Sequence, residues 1–187
     1  PLWSGDLSKA HLESLLEGSI DIQHPNFQRG LPEVLPPNGD PPENLDMAVN
    51  VLWNALILQG LARQGHPKPA AALFSNLMAA ILEGLRDYSG FYPYFKVSDG
   101  QPLGKPNAIQ GSLPLRLFLE IAGIRILSPT RLALWGQNPF PWPIEVLWQG
   151  LSLHKADETT RITFPDGATR TYTGTEPILA TPEGVES

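Results

Sequence analysis

Apolar residues recur at Ala70, Phe74, Leu77, Met78, Ile81, Leu82 and Leu85. This is the three-and-four spacing of one helix face, and it predicts a helix that starts near Pro69 and is capped by Gly90. A first-turn proline is tolerated because the N–H it lacks has no intrahelical partner there. An earlier run, residues 45–64, is apolar almost all round and predicts a second helix, with Gly65 just past its end. The connection of 65–68 is short, so these two helices should form an antiparallel hairpin. Two shorter helices are predicted. One begins at Ser8, with Leu12, Leu15 and Leu16 inward, Glu13 and Glu17 outward, and Gly18 at its end. The other covers 113–122, with Ser112 as N-cap and Gly123 following.

Residues 19–44 carry Pro25, Pro32, Pro36, Pro37, Pro41 and Pro42, which deny helix and central strand and predict an ordered loop. After Ser128-Pro129 the pattern shortens. Segments 131–135, 144–148, 161–164 and 169–172 read as strands, with Pro165-Asp166-Gly167 as a turn between the last two. Trp135, Trp142 and Trp148 read as the packing that attaches them. The expected architecture is mainly α: a helical-hairpin region over 1–128, a small antiparallel β appendage over 129–175, and a flexible tail over 176–187.

One polar stripe interrupts the apolar helix. Asp46, Asn50 and Asn54 fall at i, i+4 and i+8 on one face, with Trp53 beside them. Amides next to an indole suit a sugar, whose hydroxyls need polar partners and whose C–H face stacks on a ring. The same amides could equally bond neighbouring backbone, with Trp53 as core. The loop Gly90-Phe91-Tyr92-Pro93-Tyr94-Phe95 offers Tyr92 and Tyr94 as stacking partners or as loop packing. Asp99-Gly100 reads as a turn, and Asn107 and Gln110 add two more amides before the last helix.

Composition narrows the function classes. A net charge of -6 without any basic run argues against nucleic acid. Charged residues are only 17% of the 187, low for a small free-standing domain. Cysteine is absent, which removes disulfides and thiolate chemistry and suits a reducing compartment, so a cytoplasmic location is expected. The longest apolar run, 51–62, is broken by Asn54 and Gln59 and falls short of the roughly 20 residues of a membrane span. His11, His24, His66 and His154 lie far apart with no metal-ligand spacing, so neither a metal nor another cofactor is expected. No nucleophile elbow or glycine-rich phosphate loop is present.

The order of several segments resembles the C-terminal half of six-hairpin glycosidases, the (α/α)6-toroid enzymes that include amylo-α-1,6-glucosidase-like and mannosylglycerate hydrolase-like proteins. The matching segments are Leu2-Trp3-Ser4-Gly5, Gly30-Leu31-Pro32, the run from Val49 to Ile57, Gly60-Leu61-Ala62, and the aromatic loop with Asp99-Gly100-Gln101-Pro102-Leu103-Gly104. Asn138-Pro139-Phe140-Pro141-Trp142-Pro143 and Phe164-Pro165-Asp166-Gly167 are similar to the β tail of such proteins.

The resemblance implies a partial toroid and hydrolysis or binding of α-linked glucosides or related small glycosides. The implied ligand contacts are Asp46, Asn50, Trp53, Asn54, Tyr92, Tyr94, Asn107 and Gln110. It also implies a partner: the missing half of the toroid, or another copy docked through helix faces. Many relatives place a general-base glutamate where this chain has Pro93, which cannot take a proton. Their general acid lies in an earlier part of the protein. The catalytic carboxylate is then unassigned, with Glu33 and Asp99 as the candidate substitutes. The alternative is a sugar-binding or assembly module without catalysis, since an inverting glycosidase needs two carboxyl groups roughly 6.5–9.5 Å apart.

Overall fold

The computed structural model describes Ala10, Glu13, Ser14 and residues 28–33, 47–113 and 115–186. Most of the expected first helix, most of the proline-rich loop, and Asp46 lie outside these residues. The chain divides into two compact units, 1–117 and 118–187.

In the first unit the expected helix pair is present as α1 (Val51–Arg63) and α2 (Pro67–Tyr88). The second helix buries Ala70, Leu73, Phe74, Leu77, Ala80 and Ile81 along one stripe. Full burial stabilises each of its large side chains by about 1.5–3 kcal/mol. Ser89, in the left-handed region at φ 55°, ends it in place of the expected Gly90. The first helix starts later than its apolar run. Residues 48–50 are extended as strand β1 (Ala48–Asn50), which pairs antiparallel with β2 (Tyr94–Lys96), and β2 with β3 (Pro102–Leu103). Asn50 makes the switch, because its backbone is still extended while its side chain accepts from the N–H of Trp53. Val49 and Phe95, directly opposite each other, are fully buried. A short 3-10 turn, Ile109–Gly111, follows, then α3 (Leu115–Ile121).

The second unit is built from strands. β4 (Ile124–Ser128), β5 (Arg131–Leu134), β6 (Ile144–Trp148), β7 (Leu151–Ala156), β8 (Thr159–Thr163), β9 (Thr169–Thr173), β10 (Ile178–Ala180) and β11 (Val185–Glu186) make two antiparallel sheets. One has the order β11-β10-β5-β4, the other β6-β7-β8-β9. Leu151 and Leu153 alternate inward on β7 and share a core with Ile144, Ile162 and Phe164. Phe140 packs between Phe118, with ring centroids 5.1 Å apart, and Trp142, at 5.5 Å. The segment around 178–186, read from sequence as tail, holds β10 in place between β5 and β11.

The mainly α expectation, a partial toroid with a small β appendage, is overturned. The described residues hold three helices against three antiparallel sheets, so the fold is mixed and β-rich. The error came from strands with weak local signals. Ile124–Ser128 follows a helix and reads as linker, Leu151–Ala156 hides a lysine in its apolar row, and Ala48–Asn50 was absorbed into a helical run. β4 and β7 are held by hairpin neighbours and β1 by β2, which lies beyond both helices; in each case the pairing partner decides, which periodicity within the segment does not register.

Candidate functional site

The two asparagines of the expected stripe have different tasks. Asn54 is buried, and its Oδ1 accepts from the Leu31 N–H at 2.7 Å. Its Nδ2 donates to the Leu31 carbonyl at 2.8 Å and to the Asn50 carbonyl at 2.9 Å. Both amide hydrogens and the amide oxygen are engaged by backbone. Gly30, at φ 119°, permits the approach, because a Cβ there would lie 3.0 Å from Asn54 Oδ1 and 2.9 Å from Val49 Cγ1.

Asn50 is buried too, at 8% exposed, but it bonds to an exposed side chain. Its Oδ1 accepts from the Trp53 N–H at 3.1 Å, and its Nδ2 donates to Glu33 Oε1 at 2.9 Å. One amide therefore links an exposed carboxylate to the start of the helix that carries Trp53, whose residue surface is 52% exposed. Glu33 is held there by the sheet, since its own N–H donates to the Ala48 carbonyl at 2.9 Å beside a Pro32–Val49 bridge. Asn50 and Tyr94 are directly paired across β1 and β2, so their side chains leave the same sheet face, opposite Val49 and Phe95. Glu33, Asn50, Trp53 and Tyr94 thus gather at the start of α1.

The other expected contacts lie elsewhere in this unit. Tyr92 packs edge-on against Tyr88 at 6.4 Å. Asn107, at φ 60°, accepts from the Phe91 N–H through Oδ1 and donates its own N–H to the Phe91 carbonyl, so it staples the aromatic loop. Gln110 is exposed in the 3-10 turn. Asp99 Oδ1 accepts from the Gln101 N–H at 2.8 Å and shapes the turn before β3. Arg29 lies against that turn. Its Nη1 donates to the Val97 carbonyl at 3.2 Å, while its buried Nε has no partner. Pro93 is buried, its carbonyl accepts from the Val51 N–H at 3.0 Å, and its ring lies against Gly104. Pro93 thus satisfies the first N–H of α1 through its carbonyl.

A second place escaped the sequence reading. Lys155 takes the inward position of β7 after Leu151 and Leu153 and is 1% exposed. Its Nζ donates to the Ala122 carbonyl at 2.8 Å and the Trp135 carbonyl at 3.0 Å. Burial pushes its amine down from the ordinary 10.5 to about 8. Lys155 also lines a cleft of about 110 Å³ together with Leu134, Trp135, Thr160, Tyr172 and Ile178. Burial raises the Tyr172 phenol, against the opposing pull of Arg170, and its hydroxyl donates to the Gly184 carbonyl at 3.2 Å. The alternation Leu151-Ser152-Leu153-His154-Lys155 is the signal that could have revealed it.

Among the described residues no three His, Asp or Glu side chains form a metal-binding group. None of the helices described is long and apolar enough to cross a membrane. Comparison with family models, curated proteins and solved structures gives no match for this chain.

Proposed function

We propose that the 1–117 unit binds a carbohydrate, of the α-glucoside class, on the solvent side of the β1–β2–β3 sheet. The observation that carries this reading is the Glu33–Asn50 hydrogen bond of 2.9 Å beside a half-exposed indole. A carboxylate accepts from two adjacent sugar hydroxyls, and an amide offers a further N–H, since Asn50 Nδ2 has two hydrogens and Glu33 takes one. The indole presents a flat apolar face for the sugar's C–H groups and a polar edge. Glu33 and Asn50 are already oriented by backbone hydrogen bonds, so little conformational freedom is lost when a ligand arrives.

Ligand-induced thermal shift with maltose and maltotriose tests the proposal on the wild type, Trp53→Ala and Glu33→Gln. Saturable stabilisation of the wild type that is lost in both variants supports it. A glycan panel that leaves the melting temperature unchanged, with no change in the NMR signals of Asn50, refutes it.

Hydrolysis is the second reading, favoured by the exposure of the Glu33 carboxylate. It requires a second carboxyl group roughly 5–10 Å away across the bound sugar. Glucose release that Glu33→Gln abolishes, with binding retained, would place hydrolysis above simple recognition.

A further inference from the structure

Independently of the sugar reading, we propose that the cleft of the 118–187 unit binds a small organic monocarboxylate, with the Lys155 ammonium taking its charge. An ammonium has three N–H donors. Two go to the Ala122 and Trp135 carbonyls, so one is left over. Carbonyl dipoles solvate the charge without neutralising it, and among the described residues Lys155 has no carboxylate partner. A buried charge without a counter-charge is costly to keep. Its amine, lowered to about 8 by burial alone, shows that cost. A side chain placed there only to fill the core would serve better as leucine or methionine.

The walls select the rest of the ligand. Leu134 and Ile178 are apolar, and Trp135 and Tyr172 add ring surface. Glu176 also lines the cleft and repels any anion there, most strongly one with a second negative charge, which disfavours phosphate and dicarboxylates relative to a monocarboxylate. A volume of about 110 Å³ exceeds what one water needs and suits a short alkyl chain. Gly123 leaves room for the ammonium itself, because a Cβ at that position would stand 3.1 Å from Lys155 Nζ.

The test is an NMR titration of the full chain with sodium butyrate, read at the Lys155 ammonium and at the amides of Gly136 and Gly174. Butyramide, the neutral isostere, and sodium chloride are the controls. The expected result is a saturable shift at all three signals with butyrate, about tenfold or more weaker with butyramide, as loss of a charge-assisted hydrogen bond requires. Ile178→Trp, which fills the cleft from its rim and leaves Lys155 intact, should weaken butyrate binding by a similar factor. A flat titration, or equal responses to butyrate and butyramide, overturns the proposal and leaves Lys155 as a backbone clamp. Unchanged butyrate affinity in a folded Ile178→Trp variant overturns the assignment to this cleft.

Discussion

Asn54 and Leu31 exchange two hydrogen bonds, 2.7 Å into the amide oxygen and 2.8 Å out of the amide nitrogen, across 23 positions of chain. The side chain imitates a β-strand neighbour and ties the Gly30–Pro32 segment to α1. Because both partners are buried, the bond is worth more to keep than its net strength suggests, as breaking it strands two backbone groups.

Asn54→Ala should therefore destabilise the first unit by roughly 2–4 kcal/mol, the cost of leaving a buried N–H and C=O unpaired. Asn54→Asp should do no better. It keeps an acceptor for the Leu31 N–H but turns a carboxylate oxygen toward the Leu31 and Asn50 carbonyls. Urea unfolding midpoints of the two variants check this, and a loss under about 0.5 kcal/mol in either would show that Leu31 finds other partners.

Asn50 combines a helix cap with a hydrogen bond to Glu33. Asn50→Ala removes the acceptor for the Trp53 N–H and should cost about 1 kcal/mol of stability. Asn50→Asp keeps that cap but places a second carboxylate against Glu33. Helix stability should survive, whereas sugar binding should fall because Glu33 is pushed from its position. Parallel unfolding and glycan-binding measurements separate the two effects.

Gly123 follows α3 at φ 68°, and its carbonyl accepts from the Trp135 N–H at 3.0 Å. An added Cβ would collide with the Trp135 carbonyl, the same oxygen that receives a Lys155 proton. Gly123→Ala should thus cost more than about 2 kcal/mol, through the left-handed backbone and the clash together. The measurement is the unfolding midpoint, with Gly167→Ala as a control at a similar φ of 87° where nothing lies within 4 Å.

Lys155 imposes a pH dependence of definite sign. Its amine titrates near 8 in the folded chain and at the ordinary 10.5 when unfolded. Between those values the unfolded state holds more protons, so this group makes stability rise with pH. Below about 8 both states are charged and the folded state bears the whole desolvation cost, and above 10.5 the cost is gone. Lys155→Met lacks this titration. The stability of the wild type relative to that variant should climb as pH rises from about 8 to 10.5, and a flat or falling difference in urea titrations across that window would contradict the burial of a charged amine.

Sequence alone determined the helix hairpin, because residues three and four apart in one segment share a face whatever surrounds them. It also marked the Pro165-Asp166-Gly167 turn, where φ 87° at Gly167 answers to local chemistry. It brought Asn50, Trp53 and Asn54 to notice, since polar residues in an apolar run stand out by themselves. It did not show which asparagine clamps backbone alone and which also bonds an exposed carboxylate. That depends on Leu31 and Glu33, which folding brings to the start of α1 on either side of the Pro32–Val49 bridge. The balance of helix and sheet was equally non-local: β10 exists because β5 and β11 lie on either side of it. Lys155 reads as an ordinary surface charge until β8 and the carbonyls of Ala122 and Trp135 close over it. Local pattern records which face a side chain leaves by, whereas burial, partners and charge state are set by what tertiary folding brings against that face.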